Sequence, residues 1–255
     1  MAQPQFDNIS IEKLERKPVI SVSEITCIIP FWNEGNNLLR VLDEISKARN
    51  ISEIICVDDG SLDYNSEIIQ RWYPQIKLIR LEKNSGKSGA VREGLKHAGG
   101  EFVFLLDADL HNLDHREIEK AVDAFLKTGD IDMLILRRVN SVTFVKLYRS
   151  DILFTGERIM RKIDLEKVLN GSVNGWQLES AINTWMYING KNVFWVPHSG
   201  INRHKYLKWG LFNGLRLDLK TYADMISAAG FNNILKQILF FAKKELKLND
   251  EKTEA

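Results

Sequence analysis

Short apolar, β-branched runs alternate with helix-spaced segments in the first half of this chain, and each run ends in a polar or glycine-containing cluster. That alternation constrains the fold more than any other feature. Residues 25–29 (ITCII) form the first run, closed by Pro30. Residues 34–48 follow with Leu38, Leu39, Val41, Leu42 and Ile45 at helical spacing. Residues 53–57 predict a second strand, stopped by Asp58-Asp59-Gly60-Ser61, a turn signal and a helix N-cap signal together. Residues 76–81 predict a third strand, and 86–98 a helix opened by a glycine-rich turn. Residues 102–106 predict a fourth strand ended by Asp107, 114–126 a further helix, and 133–136 a fifth strand. The order predicts an α/β fold with a mainly parallel sheet and helices on both faces. Ligands of such sheets bind beyond the carboxyl ends of the strands, and every polar cluster just named falls at such an end.

The second half is patterned differently. Residues 140–175 read as helix-rich and basic, with Lys146, Arg149, Arg158, Arg161 and Lys162. Residues 177–188 read as a helix, 193–196 as a late strand, and the chain from 207 onward as amphipathic helix. No repeat or linker divides the sequence. The simplest organisation is a tail at 1–22, a catalytic domain at 23–206 and an amphipathic helical extension at 207–255. A formal net charge of +1 gives no electrostatic case for nucleic acid. The N-terminus has no apolar signal-type core, and apolar stretches of about five residues fall far short of the roughly 20 that span a bilayer. Cys27 and Cys56 lie inside apolar runs and read as buried, reduced thiols. The expectation is a cytoplasmic protein.

Asp107-Ala108-Asp109 follows the strand Phe-Val-Phe-Leu-Leu. Carboxylates at i and i+2 of an extended segment lie on one side and repel unless a cation sits between them. A hard divalent ion, Mg²⁺ or Mn²⁺, held by these carboxylates and by substrate phosphates, answers that need. Most Asp-x-Asp pairs are surface turns; this one follows a buried strand. His111, two residues further on, is a candidate third ligand or a loop histidine. His204 is the distant alternative. The cluster Pro30-Phe31-Trp32-Asn33-Glu34 closes the first strand. There Phe31 and backbone groups are candidates to line a nucleobase, and Glu34 to meet a ribose or amide; capping of the next helix is the plainer role. Asp58 and Asp59 can accept from a base N–H or a ribose hydroxyl, or cap a helix. Lys87, in Asn84-Ser85-Gly86-Lys87-Ser88-Gly89, opens a helix whose N-terminus favours anions. The spacing of a GxxxxGK[ST] phosphate loop is absent, since Leu81 stands five before Gly86.

Taken together, IIPFWNEGNNL, ICVDDGSLD and NSGKSGAVREGLKHAGGEFVFLLDADL resemble family 2 glycosyltransferases over about residues 25–112. The resemblance implies the GT-A fold, a Rossmann-like mainly parallel sheet flanked by helices, here with a C-terminal helical extension. It implies that Pro30, Asn33, Glu34, Asp58, Asp59 and Lys87 serve the nucleotide. It places the metal and diphosphate at Asp107-Ala108-Asp109, and implies an inverting reaction. DADLH is similar to the DADLQ of polyprenol-phosphate mannose synthases, where the glutamine helps at the metal; His111 stands in its place. Phe154-Thr155-Gly156-Glu157-Arg158 resembles the Ser-Gly-x-Arg loop of soluble members. Asn174-Gly175-Trp176-Gln177-Leu178-Glu179 is similar to their Gly-aromatic-x-x-Glu segment. Glu179 becomes the candidate base or acceptor contact. Arg137, Arg138 and Arg158 become candidates to neutralise the diphosphate or a phosphorylated acceptor.

The expected reaction moves a sugar from a nucleoside-diphosphate sugar to an acceptor. At the C-terminus, residues 231–247 (FNNILKQILFFAKKELK) combine an apolar face with lysines. Such a helix either packs on protein, in this chain or in a second copy, or lies on an anionic membrane. The second option suits a polyprenyl-phosphate or other membrane-proximal acceptor. Two other classes share these features. A nucleotidyltransferase would release pyrophosphate and would carry a basic glycine-rich loop after the first strand. A non-catalytic nucleotide-sugar-binding protein would form no product.

Overall fold

The computed structural model describes residues 24–139, 149–171, 178–202 and 231–248. The expected tail at 1–22, His204 and the start of the expected extension at 207–230 lie outside the described residues. In chain order the elements begin β1 (Ile25–Phe31), α1 (Asn36–Ile45), β2 (Glu53–Asp58), α2 (Asn65–Trp72), β3 (Lys77–Arg80) and α3 (Gly86–His97). Next come β4 (Phe102–Leu105), β5 (Leu110–His111), α4 (His115–Thr128), β6 (Met133–Arg138), α5 (Ser150–Leu153) and β7 (Arg158–Arg161). They close with α6 (Lys162–Leu169), α7 (Leu178–Ile188), β8 (Val193–His198), β9 (Ile201–Asn202), α8 (Phe231–Phe240) and β10 (Lys244–Glu245).

Among the described residues, eight strands form one sheet in the order β10-β8-β6-β7-β4-β1-β2-β3. All neighbours are parallel except β7, which runs antiparallel to both β4 and β6. The mainly parallel α/β expectation holds. β1 is apolar nearly throughout because both of its faces are covered. Cys27, Ile29, Cys56, Phe102 and Phe104 point to a layer that contains Leu38, Val41, Leu42 and Ile45 of α1 and Ile118, Val122 and Phe125 of α4. Ile28, Ile55, Val57, Val103 and Leu105 point to the opposite layer, with Val91 and Leu95 of α3, Leu165 of α6, and Ile182 and Met186 of α7. Burial of each such large side chain contributes roughly 1.5–3 kcal/mol. Gly94 lets α3 sit against β1: a Cβ there would lie 2.8 Å from Cγ2 of Ile28. Cys27 and Cys56 are buried free thiols, and burial raises both pKa values.

Two findings differ from the sequence expectation. The stretch read as helix-rich and basic contains β7, a strand wedged between β4 and β6. Its reversed direction returns its amino end, Arg158, to the carboxyl edge of the sheet, paired with Leu105 and Ile135. The expected extension also carries more than helix: β10 pairs with β8 as an edge strand. Gln237, Phe241 and Ala242 are buried there, and the Arg149 guanidinium donates to the carbonyls of Ile238, Phe241 and Ala242. Among the described residues no helix is long and apolar enough to cross a membrane.

Candidate functional site

The loops after β1 and β2 are tied into one rim. Asn33, held at φ 53°, donates its backbone N–H to Ser61 Oγ (3.0 Å). Its Oδ1 accepts from the Leu62 N–H (2.8 Å). Asp58 is fully buried; it accepts from the Ser61 N–H at 2.7 Å and from the Ser66 hydroxyl, with Arg80 Nε at 3.4 Å. Asp59 accepts from both the backbone N–H (2.7 Å) and the hydroxyl (2.8 Å) of Ser85, the residue that precedes α3. These carboxylates therefore fix the loops on which the site stands. Pro30 lies beyond the last β1–β4 pair, Ile28–Leu105, so its missing N–H leaves that ladder intact. The Glu34 carbonyl accepts from the Asn37 N–H (3.2 Å) at the start of α1.

Phe31 corrects an expectation. Its ring is 4% exposed and belongs to the core, because Ile25, Cys27, Ile29 and Phe31 share one face of the strand. The next residue, Trp32, leaves the strand and is 53% exposed. The aromatic surface at this lip is Trp32, with Leu62 and Tyr64 also exposed on the neighbouring loop.

At the centre lies an ammonium between two carboxylates. Lys87, in the first turn of α3, places Nζ 2.5 Å from Asp107 Oδ1 and 2.7 Å from Glu179 Oε1. The three side chains are 18%, 19% and 5% exposed, so the charges meet at the floor of the site. Burial alone would lower the lysine pKa; Asp107 and Glu179 outweigh it and raise it. Burial alone would raise the Asp107 pKa; the Lys87 ammonium, with Arg138 and Arg158 behind it, holds it below the ordinary value. Gly156 backs the Asp107 carboxylate so closely that a methyl group there would overlap it. Ala108 is buried, while the flanking Asp107 and Asp109 are half-exposed.

Asp107, Asp109 and His111 do not converge as a three-ligand cluster among the described residues. His111 Nδ1 lies 3.4 Å from an Arg40 nitrogen, and its strand β5 pairs with β9, where His111 faces Ile201. Residue 204 lies outside the described residues. The donor set still suits a hard divalent ion. Mg²⁺ and Mn²⁺ sites built from one or two carboxylates, substrate phosphates and water need no third protein ligand. The Lys87 ammonium already stands as a cation on one of those oxygens.

The second half supplies the wall. Arg158 corrects a second expectation. Its side chain is fully buried, and its donors reach the Thr155 (2.8 Å), Leu153 (2.8 Å) and Glu179 (3.5 Å) carbonyls and Asn183 Oδ1 (2.5 Å). Burial lowers its pKa to about 10. It ties the 153–158 loop to α7 and so sets Glu179 beside Lys87, instead of offering its charge to a phosphate. Arg137 donates to buried Asp151 (2.5 Å) and stacks 4.8 Å from the Trp195 ring centroid. Arg138 lies 3.8 Å from Glu157 Oε2 and opposite His198 in the β6–β8 register.

Sequence reasoning did not single out Glu157 or His198. Glu157 is fully buried, accepts from the Thr155 hydroxyl, and has its pKa raised by burial. His198 accepts from the Gly200 N–H (3.2 Å), and burial, then Arg138, lowers its pKa to about 4. The available signal was positional: Glu157 directly precedes β7, and His198 is the last residue of the otherwise apolar run Val-Phe-Trp-Val-Pro-His.

This edge, with its paired loops, lysine and Asp-Ala-Asp turn, lies within the stretch that a family model covers. Residues 26–183 match the family model described as Glycosyl transferase family 2. The chain belongs to that family. Among curated relatives of this glycosyl transferase family 2 member is a dolichyl-phosphate beta-glucosyltransferase of Trichomonas vaginalis. It is 38% identical over 112 residues, which are 38% of this chain and 33% of the relative. An undecaprenyl-phosphate 4-deoxy-4-formamido-L-arabinose transferase of Edwardsiella ictaluri is 33% identical over 112 residues, 41% of this chain and 34% of the relative. The chain thus spans about a third of the length of these relatives. Glucosyl-3-phosphoglycerate synthase from Mycobacterium tuberculosis, crystallised with Mn²⁺, uridine diphosphate and phosphoglyceric acid, superposes with a TM-score of 0.64 at 18% identity. That match covers 82% of this chain and 79% of the synthase, and it supports the GT-A fold.

Proposed function

We propose that this family 2 member transfers a sugar from a nucleoside-diphosphate sugar to polyprenyl phosphate or another membrane-proximal acceptor, with inversion at the anomeric carbon. The observation that carries the reading is the Lys87 ammonium held between Asp107 and Glu179 at the carboxyl edge of the sheet. It gathers at one point a cation for a leaving diphosphate, a carboxylate for a metal and a carboxylate for an acceptor. The N-terminus of α3 adds its own preference for an anion there.

Asp107 and Asp109 would hold a divalent ion, Mg²⁺ or Mn²⁺, which when bound neutralises charge on the departing diphosphate. Lys87 would stabilise the same developing charge. The exposed Trp32 ring offers a flat apolar surface to a nucleobase, beside a rim locked by Asn33, Asp58 and Asp59. Glu179, held by Lys87 in this structure, would take the proton from a hydroxyl acceptor; a phosphate acceptor arrives ionised and needs no base. The lipid-phosphate acceptor is supported by the names of the relatives from Trichomonas vaginalis and Edwardsiella ictaluri. A uridine-diphosphate donor is the first choice because crystals of the fold neighbour hold UDP or UDP-glucose with Mn²⁺.

Docking at the cytoplasmic face of a membrane belongs to the same reading. Leu239 and Phe240 are 50% and 63% exposed, and Lys236, Lys243, Lys244 and Lys247 are exposed around them. The deciding experiment is a nucleotide-sugar panel with Mn²⁺ or Mg²⁺ and polyprenyl phosphate, scored for the nucleotide released and for glycolipid. Nucleoside diphosphate together with a glycosylated lipid is the expected result. Pyrophosphate release, or Asp109→Ala behaving like wild type across the panel, would overturn it.

A further inference from the structure

We propose that Lys87 is the site's own counter-cation. It competes with a divalent metal for Asp107 until a nucleoside diphosphate draws its ammonium away, so metal and nucleotide bind as a coupled pair. The inference rests on the donor-site reading above and adds how that site is loaded.

The geometry is specific. Lys87 Nζ lies 2.5 Å from Asp107 Oδ1, the distance of a close charge-assisted hydrogen bond. Mg²⁺ would sit about 2.0–2.1 Å from a carboxylate oxygen. Two cations cannot both take that oxygen without strong repulsion. Gly156 closes one side of both carboxylate oxygens, which narrows the approaches left to a metal. The second hold on the ammonium, Glu179 Oε1 at 2.7 Å, sits on a different element, α7, and keeps the lysine over the site. The buried guanidinium nearby does not substitute for it. Arg158 directs its donors to four backbone carbonyls and to Asn183.

Lysine suits the exchange physically. It is a point charge on a flexible stem, so the ammonium can turn from carboxylate to phosphate while the backbone of α3 stays in place. The phosphate would arrive at the first turn of that same helix, where backbone N–H groups favour anions. A buried carboxylate, Glu179, and a half-buried one, Asp107, left without their shared cation are costly, so removal of the lysine creates a demand that a metal can meet.

Mn²⁺ binding, followed by electron paramagnetic resonance with and without UDP, tests this on the full chain. In wild type, UDP should tighten Mn²⁺ binding at least about tenfold, and Mn²⁺ should tighten UDP by the same factor. In Lys87→Gln, Mn²⁺ alone should bind at least about fivefold tighter than in wild type, and the coupling factor should shrink. Lys87→Arg keeps the charge and should keep weak binding of Mn²⁺ alone. A lysine that serves phosphate only would leave the affinity for Mn²⁺ alone unchanged in Lys87→Gln, and that result overturns the proposal. If Lys87→Gln unfolds without metal, Mn²⁺ alone should restore its folded circular dichroism, and failure to do so also overturns it. Wild type that binds no Mn²⁺ even with UDP would instead sink the donor-site reading itself.

Discussion

From β1 to β4 the chain builds its part of the site by repetition. Each strand runs the same way and each ends at the same edge; the first two loops are tied to the next by Ser61 and Asp59, and the third by Lys87. From β6 to β8 the same edge is reached by a reversal. β7 enters antiparallel between β4 and β6, so the loop before it, rather than the loop after it, meets Asp107. The first half holds its loops with Asn33, Asp58 and Asp59 at turns. The second holds its wall with Arg158, a charge in the protein interior. The difference teaches where each half is fragile: the first in its chemistry, the second in its packing.

The sharpest way to break the second half is Arg158→Met. The substitution removes the donors to four carbonyls and to Asn183 in a fully buried setting. Orphaned buried acceptors and a lost interior charge predict a loss of about 3–5 kcal/mol. Urea unfolding at neutral pH measures it. Stability unchanged within about 1 kcal/mol would remove Arg158 as the tie between the wall and α7.

In the first half the matching prediction is chemical. Asp107→Asn keeps the size of the side chain but removes its charge beside Lys87. Transfer should fall about 10²–10³-fold, the scale expected when one preorganised electrostatic contact to the leaving group is lost. The melting temperature should move by only a few degrees. A variant with near-normal turnover would show that the diphosphate is neutralised elsewhere.

What the sequence made legible follows the same division. The strands β1, β2 and β4 and the Asp-Ala-Asp turn were readable because buried parallel strands are continuous apolar runs that stop at polar loops, whereas β3 is a half-buried edge strand of Lys-Leu-Ile-Arg. Within that half the misreading of Phe31 was one of phase. Strand alternation carries one residue further than the apolar run implies, so Phe31 turns into the core and Trp32 out. In the second half, β7 consists of Arg-Ile-Met-Arg, four residues held from both sides by neighbours distant in sequence. Its charged ends fall in the stretch that reads as helix-rich and basic, whereas Arg158 is fully buried and Arg161 lies over the Phe102 ring. β9 and β10 are two residues each, too short to leave a periodic trace. Glu179 was visible as an acid near an aromatic-glycine segment. Its pairing with Lys87 spans 92 positions and needed the fold.

Acid provides a third, smaller test, again of the second half. The His198 pKa is lowered from 6.5 to about 4 by burial and then by Arg138, against the opposite pull of Glu117. A depressed pKa means the unfolded chain takes up the proton first. The contribution is therefore complete above about pH 6.5 and is lost as the pH falls towards 4. Its full size is on the order of 3 kcal/mol. His198→Gln should flatten the decline in urea-derived stability across that window. An identical slope in both proteins would assign the acid sensitivity to other groups.

The smallest effect lies at the far edge, where β10 and α8 close the second half. Gln237, Phe241 and Ala242 are buried against the domain, while Leu239 and Phe240 face outward among lysines. The same short segment thus has one face that belongs to the fold and one left for an outside surface. Truncation would confuse the two, because it also strips the buried side chains and the β10 pairing. Phe240→Asp touches only the outer face. An apolar side chain of this size contributes roughly 1.5–3 kcal/mol on burial, so binding to anionic liposomes should weaken about tenfold or more. Donor hydrolysis in solution should be unchanged. Replacement of Lys243 and Lys244 by Gln should weaken binding further at low salt than at high salt, since roughly 1 kcal/mol per lysine near an anionic surface is screened within a Debye length. If both variants bind liposomes like wild type, the outer face does not meet lipid, and access to a lipid acceptor must come from the loops around Trp32, Leu62 and Tyr64 instead.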